Sequence, residues 1–83
     1  MLTSLKNAFL YPLLRSLEHE DIGVRRCAAA ALGKIGNEAA RAPLARIARC
    51  DPGNWRIRET GQVVFFARRA AEKALRRMDR SLP

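Results

Sequence analysis

D-I-G-V-R-R-C-A-A-A-A-L-G-K-I-G, from Asp21 to Gly36, is the segment around which the chain is organised. Its apolar residues Val24, Cys27, Ala28, Ala31, Leu32 and Ile35 recur in steps of three, one, three, one and three. That spacing keeps one stripe of an α-helix apolar along its whole length. Four consecutive alanines add helix propensity and allow a neighbouring helix to come close. Asp21 suits the start as a cap, and Gly33 or Gly36 suits the end. A stripe this narrow and alanine-rich does not hold a helix alone, so partners are expected on both sides.

On the N-terminal side the pattern predicts a first helix, capped by Thr3 or Ser4 and running to about Glu18. Leu10, Leu13, Leu14 and Leu17 form its inner stripe, and Phe9 and Leu5 extend it. Pro12 falls inside this pattern, where it lacks an N–H for the carbonyl four residues back, so a bend or a break is expected there. On the C-terminal side Gly36-Asn37 makes a break, with Asn37 as a cap. A third helix follows over roughly Glu38 to Arg49, with Ala40, Leu44, Ile47 and Ala48 inward and Pro43 placed much as Pro12 is. Asp51-Pro52-Gly53-Asn54 is the clearest loop. The residues from Trp55 to Gln62 are mixed in pattern. A fourth helix is expected from about Val63 to Met78, with Ala67, Ala70, Ala71, Ala74, Leu75 and Met78 on one stripe.

These four helices are two copies of one unit. Y-P-L-L-R-S-L at 11–17 aligns with A-P-L-A-R-I-A at 42–48, a shift of 31, and V-R-R-C-A-A-A-A-L at 24–32 aligns with A-R-R-A-A-E-K-A-L at 67–75, a shift of 43. The growth of the shift from 31 to 43 places a twelve-residue insertion between the two helices of the second unit. Repetition at this period marks a helical solenoid. The expected fold class is therefore all-α, four antiparallel helices in two helix pairs. A single domain spans 1–83, with repeat one at about 4–35, repeat two at about 37–79, and the insertion at about 52–63.

The segment D-I-G-V-R-R-C-A-A-A-A-L-G-K-I-G, followed by N-E-A-A-R-A-P-L, resembles HEAT-like repeats of the short bilin-lyase type. The resemblance is carried by Asp21, Val24, Arg25, Ala28, Ala31, Leu32, Gly33, Ile35, Gly36 and Pro43. It covers about 10–50 well and 64–78 less well, and it is absent over the insertion. It implies an α-solenoid whose first helices form a convex face and whose second helices line a concave binding face. It further implies a scaffold or adaptor; a minority of such proteins act in attaching or detaching bilin pigments. A repeat of this kind specifies fold far better than function.

At 83 residues the chain buries only roughly 60% of its unfolded surface, so its stability margin is small. Hydrophobic residues make up 48%, but only five residues are aromatic, so the few large side chains must be well placed. The net charge of +8 is uneven: residues 1–40 carry five Lys/Arg against four Asp/Glu, and residues 41–83 carry eleven against four. A basic half of this kind fits an acidic protein, nucleic acid or anionic lipid, and equally a solvated helix surface. Neither cysteine belongs to a CxxC or a His/Cys cluster, so no disulfide framework and no metal site are expected. The N-terminal residues lack the pattern of a leader, and no stretch approaches the ~20 apolar residues of a membrane span. A cytoplasmic setting, with no cofactor, is the expectation.

Enzymatic chemistry has little support. The single histidine, His19, sits at a helix end beside Glu18, Glu20 and Asp21, and no nucleophile motif or phosphate-cradling loop is present. Three binding candidates remain. Arg69, Lys73, Arg76 and Arg77 lie off the apolar stripe of the fourth helix, and Arg26 aligns with Arg69, so Arg26, Arg69, Lys73 and Arg76 form one candidate basic face. Trp55, Ile57 and the run from Val63 to Phe66 form another apolar group, with Trp55 and Phe65 as candidate contacts; they either cap the stack or meet a partner. Arg25 has two readings: a structural ion pair, with Asp21 or with the acidic residue of the next repeat, or a ligand contact. Asp21, Arg25, Pro12 and Pro43 are taken as structural. The insertion separates Arg68 from Asp51, which leaves the acidic partner of Arg68 open. Between the copies, the exposed positions change from Ala29, Ala30 and Gly33 to Glu72, Lys73 and Arg76.

The expected function is a non-enzymatic protein-interaction module with a protein partner, one of acidic character. The alternatives are an accessory subunit in bilin or cofactor attachment, and backbone-level nucleic-acid binding through the basic second half. Two repeats rarely suffice alone, so a homodimer or a longer solenoid is also expected.

Overall fold

The computed structural model describes residues 8–80. Among them are four α-helices: α1 (Leu10–Ser16), α2 (Ile22–Ile35), α3 (Arg41–Cys50) and α4 (Phe66–Arg80). A 3-10 turn, Glu38–Ala40, leads into α3, and two short strands, β1 (Trp55–Arg56) and β2 (Val63–Val64), separate α3 from α4. The expected Thr3 or Ser4 cap and Leu5 lie outside the described residues. The all-α fold of paired helices read from the repeat pattern is the observed one.

Local chemistry accounts for the helix ends. The Asp21 carboxylate accepts from the Gly23 N–H at 2.7 Å and so satisfies one of the free donors at the start of α2. Gly36, at φ 73°, ends α2 in the left-handed region, and its N–H donates to the Leu32 carbonyl at 3.0 Å. Gly33, the other candidate stop, lies inside the helix. Asn37 caps the 3-10 turn by accepting from the Ala39 N–H at 2.8 Å. Pro12 and Pro43 each occupy the third position of their helix, where a missing N–H costs no helical bond. Removing the Asp21 cap as Asp21→Ala should lower stability by about 1 kcal/mol, whereas Asp21→Asn should be near neutral because an amide oxygen caps as well. Urea denaturation of the two variants side by side checks this; equal losses would show that the carboxylate acts by charge rather than by capping.

The core lies along the contact of α2 with α4, with α1 packed on the other flank of α2 and α3 packed on α4. Leu17, Leu32 and Leu44 are its largest fully buried side chains, joined by Ala28, Ala29, Ala67, Ala71 and Met78. The most extensive helix contact is α2 with α4, followed by α3 with α4 and α1 with α2. Arg26 sits over Phe66, and Gly33 meets Ala74, so α2 and α4 run parallel side by side.

This central position changes which face of α2 is deepest. Cys27 is exposed, and Val24, Ala31 and Ile35 are only half-buried. The buried residues are Ala28, Ala29, Leu32 and Gly33. An amphipathic stripe marks the apolar side of a helix, but depth follows the line between two neighbours, and α2 has α1 on one flank and α4 on the other. Ala29 and Gly33, expected to be exposed, are therefore seam residues. At Gly33 a Cβ would lie 2.7 Å from the Ala74 Cβ and 2.8 Å from its Cα, so only glycine permits this approach. Phe9, expected on the inner stripe of the first helix, is 64% exposed, since it precedes α1 as its N-cap and falls outside the Leu10 to Leu17 face.

The fourth helix begins at Phe66 rather than Val63. Val63 and Val64 are drawn into an antiparallel pair, Trp55 with Val64 and Arg56 with Val63, as suits β-branched residues beside a turn. Gly61, at φ 73°, supplies the left-handed turn residue, and the Ile57 N–H donates to the Gln62 carbonyl at 2.7 Å. The hairpin returns the chain beside the point where it left α3.

Candidate functional site

Two constellations occupy the regions singled out in the sequence. The first is a charged node around Asp51. Asp51 is 5% exposed and is the buried charged residue among the described residues. Its carboxylate accepts from Arg25 Nε at 2.6 Å and from the Arg25 Nη2 at 3.1 Å, and also from the Gly53 N–H at 2.8 Å. The Arg25 Nη1 donates to the carbonyls of His19 and Glu20 at 2.8 and 2.9 Å. Arg68 Nε donates to the Asp51 carbonyl at 2.6 Å. One bidentate pair with its satellite bonds thus ties the α1–α2 turn, α2, the end of α3 and α4 together.

Arg25 is therefore held by the acidic residue that precedes the insertion, and its carboxylate partner is Asp51 rather than Asp21. Arg68 meets the backbone of that same aspartate despite the intervening residues, because the hairpin closes the insertion on itself. Asp51-Pro52-Gly53 repeats the turn of Asp21-Ile22-Gly23, each aspartate accepting from the N–H two residues on. A Cβ at Gly53 would crowd the Arg25 guanidinium and the Ile22 Cδ1, so a larger residue there would make these side chains shift. Burial alone would raise the Asp51 pKa. The hydrogen bonds from Arg25 and the Gly53 N–H, with the charges of Arg25 and Arg68, outweigh burial and hold it below the ordinary value. Among the described residues no buried side-chain nitrogen or oxygen lacks a hydrogen-bond partner, the Arg25 and Asp51 groups included, so the node reads as a structural tie.

The second constellation is a groove of ≈ 610 Å³ along the α2–α4 seam. Arg26 and Lys34 line it from α2, and Arg69, Lys73, Arg76 and Arg77 from α4, with Glu72 as its one carboxylate. Ala30, Phe66, Ala70 and Ala74 supply the apolar part of the lining. Arg26 is stacked over the Phe66 ring at 5.1 Å, which holds a long side chain in place. Among the described residues, none of the ion pairs involves Arg26, Lys34, Arg69, Lys73 or Arg76. The pairs formed elsewhere use Arg25, Arg41 and Arg46. The groove is thus a concentrated positive surface with a low-dielectric floor, suited to an anionic partner.

The structure brings together Arg26, Arg69, Lys73 and Arg76, of which the repeat alignment matched only Arg26 with Arg69. Trp55 is not among them: it lies on the hairpin, 64% exposed and away from the groove lining. Phe65 is half-buried beside the groove, with Arg68 stacked over its ring at 4.2 Å. Lys34 was missed by the sequence reading. Its signal was present, since Arg26, Ala30 and Lys34 follow one another at intervals of four and so share one helix face. Val64 is buried, whereas Val63 and Trp55 are exposed, so the hairpin is part core and part surface.

Among the described residues no three His, Cys, Asp or Glu side chains are grouped so as to hold a metal ion, and both cysteines are free and exposed. No helix among the described residues is long and apolar enough to cross a membrane. No curated protein and no solved structure matches the chain. A family profile for HEAT repeats, which generally mediate protein–protein interaction, matches residues 1–64. With that match over most of its length and paired helices packed through parallel α2 and α4, the chain belongs to the HEAT-repeat family.

Proposed function

We propose that this protein is a non-enzymatic interaction module that docks an acidic protein partner in the α2–α4 groove. In this reading residues 4–35 and 37–79 act as two repeats, the second interrupted at 52–63, and their second helices present the docking face. The observation that carries it is the gathering of Arg26, Lys34, Arg69, Lys73 and Arg76 in one groove, outside the ion pairs of the described residues. Unpaired cations over an apolar floor keep their charge available to a partner, whereas Arg25 and Arg41 spend theirs inside the fold. The Phe66 ring in the lining is half-buried and covered by Arg26, which leaves no free ring to stack a base, and the apolar floor favours a protein over single-stranded nucleic acid.

A labelled oligoglutamate peptide and a single-stranded DNA of matched charge, titrated by fluorescence anisotropy, test this. The peptide should bind, with affinity falling at least about tenfold between ~50 and ~200 mM salt. The charge reversal Arg69→Glu with Lys73→Glu should weaken it at least about tenfold, with the helical circular dichroism signal unchanged because both residues are exposed. Tighter binding of the DNA, or peptide binding unchanged by the reversal, would overturn the reading.

A further inference from the structure

The groove does not end where its cations end. A second depression, of ≈ 420 Å³, is lined by Gln62, Val63, Val64 and Phe65 of the hairpin side and by Arg68, Arg69 and Glu72 of α4. Arg69 and Glu72 line both depressions, so they form one trough along α4, apolar at the hairpin end and cationic towards Arg76. From Phe65 to Arg76 this trough extends about 17 Å at the helical rise of ~1.5 Å per residue. Val63 stands exposed at the apolar end, although Val64 beside it is buried. Glu72, the one carboxylate of the cationic groove, sits at the junction.

We infer that the trough reads a two-part protein segment: a bulky apolar residue seated against Val63 and Phe65, then a neutral or basic position at Glu72, then a run of acidic residues along Lys73 and Arg76. The inference rests on the proposed docking role of the α2–α4 groove and adds to it the order of chemistries along the partner. Each part follows from a physical preference. An exposed apolar wall gains by covering, since its water is released. A lone carboxylate among cations costs an approaching acid more than a neutral group, so it discriminates by repulsion. Beyond Glu72, the cations at 73 and 76 lie three residues apart on one helix face, a spacing that carboxylates at i and i+3 of a partner helix reproduce.

Two probes separate this order from simple charge attraction: the oligoglutamate peptide, and the same peptide carrying a tryptophan at one end behind a glycine. The anchored peptide should bind at least about tenfold more tightly at ~200 mM salt, where screening weakens the charge contribution. That gain should disappear in Val63→Ser, an exposed site that leaves the fold intact, and in Phe65→Ala. Glu72→Gln should raise the affinity of plain oligoglutamate several-fold and change the anchored peptide less. Equal affinity of the two peptides for the wild type, or an anchored gain that survives Val63→Ser, overturns the two-part order while the groove remains a docking surface. Failure of both peptides to bind overturns the docking reading itself, and this inference with it.

Discussion

Asp51→Ala is expected to lower the unfolding free energy by about 3–5 kcal/mol, the usual cost of removing one partner of a buried ion pair. Small domains have roughly 5–15 kcal/mol in total, so this one change removes at least about a fifth of the stability. The size follows from what is left behind. The Arg25 side chain is 12% exposed and would keep only the His19 and Glu20 carbonyls, without a counter-charge. The Gly53 N–H would lose its acceptor, and the turn leading to the hairpin would lose its anchor. Asp51→Asn keeps the shape and an acceptor for Gly53, and should fall between the wild type and Asp51→Ala. Replacing both partners by apolar residues, as Arg25→Leu with Asp51→Leu, should recover part of the loss because no buried charge remains unpaired. Urea unfolding of the four proteins measures this. A loss below about 1 kcal/mol for Asp51→Ala would show that the node contributes no more than a surface pair.

The same node sets an acid limit. The folded pKa of Asp51 lies below its ordinary value of 3.8, because Arg25, the Gly53 N–H and Arg68 together outweigh burial. Between the unfolded and folded values the unfolded chain binds more protons, so stability rises with pH there. The contribution is complete above the unfolded pKa and is lost as pH falls through the folded one. Glu38, also lowered by its hydrogen bond with Arg41, titrates in the same direction. The stability difference between the wild type and Asp51→Asn isolates the Asp51 part: it should be constant near neutrality and shrink below about pH 4.

The second large effect is expected at Gly33. Glycine inside a helix is ordinarily a weakness, and replacing it by alanine gains up to about 1 kcal/mol of propensity. Here the added Cβ would lie 2.7 Å from the Ala74 Cβ and 2.8 Å from the Ala74 Cα, which is backbone and cannot rotate away. α2 and α4 must separate to admit it, and the most extensive helix contact of the fold then opens. Overpacking of this kind costs about 1–3 kcal/mol, so Gly33→Ala should be net destabilising and Gly33→Val more so, at about 3 kcal/mol. Thermal and urea midpoints check the sign. A stabilised Gly33→Ala would mean that the seam yields without loss. Because the groove runs along this seam, the variant should also weaken binding of the acidic peptide without altering a single groove charge.

These two sites differ in how readable they are from sequence. The D-x-G turns, the cap at Asp21, the stop at Gly36 and the inward leucines are local features, set by residues within a turn of one another. Arg25 could be recognised as a structural arginine, yet its partner lies 26 residues away across a turn and a helix. Gly33 read as a stop signal because glycine ends helices more often than it fills seams. Its neighbour Ala74 is 41 positions on, and nothing local to either residue announces the contact.

The groove divides in the same way. Helical spacing put Arg69, Lys73 and Arg76 on one face of α4, and the repeat alignment put Arg26 in register with Arg69. That the two faces share one groove depends on α2 and α4 running parallel. Only this packing admits Lys34 and excludes Trp55.

The helices, the caps at Asp21 and Asn37 and the stop at Gly36 were legible in the sequence, because periodicity, propensity and capping chemistry are written in residues close along the chain. What the tertiary structure alone decided is depth and company. A helix with neighbours on both flanks buries the line between them rather than the centre of its apolar stripe, which moved Cys27 to the surface and Ala29 and Gly33 into the seam. The hairpin of β1 and β2 brings the chain back on itself, which returned Arg68 to Asp51. Both outcomes depend on distances through space between residues far apart in the chain, and no pattern along one helix contains them.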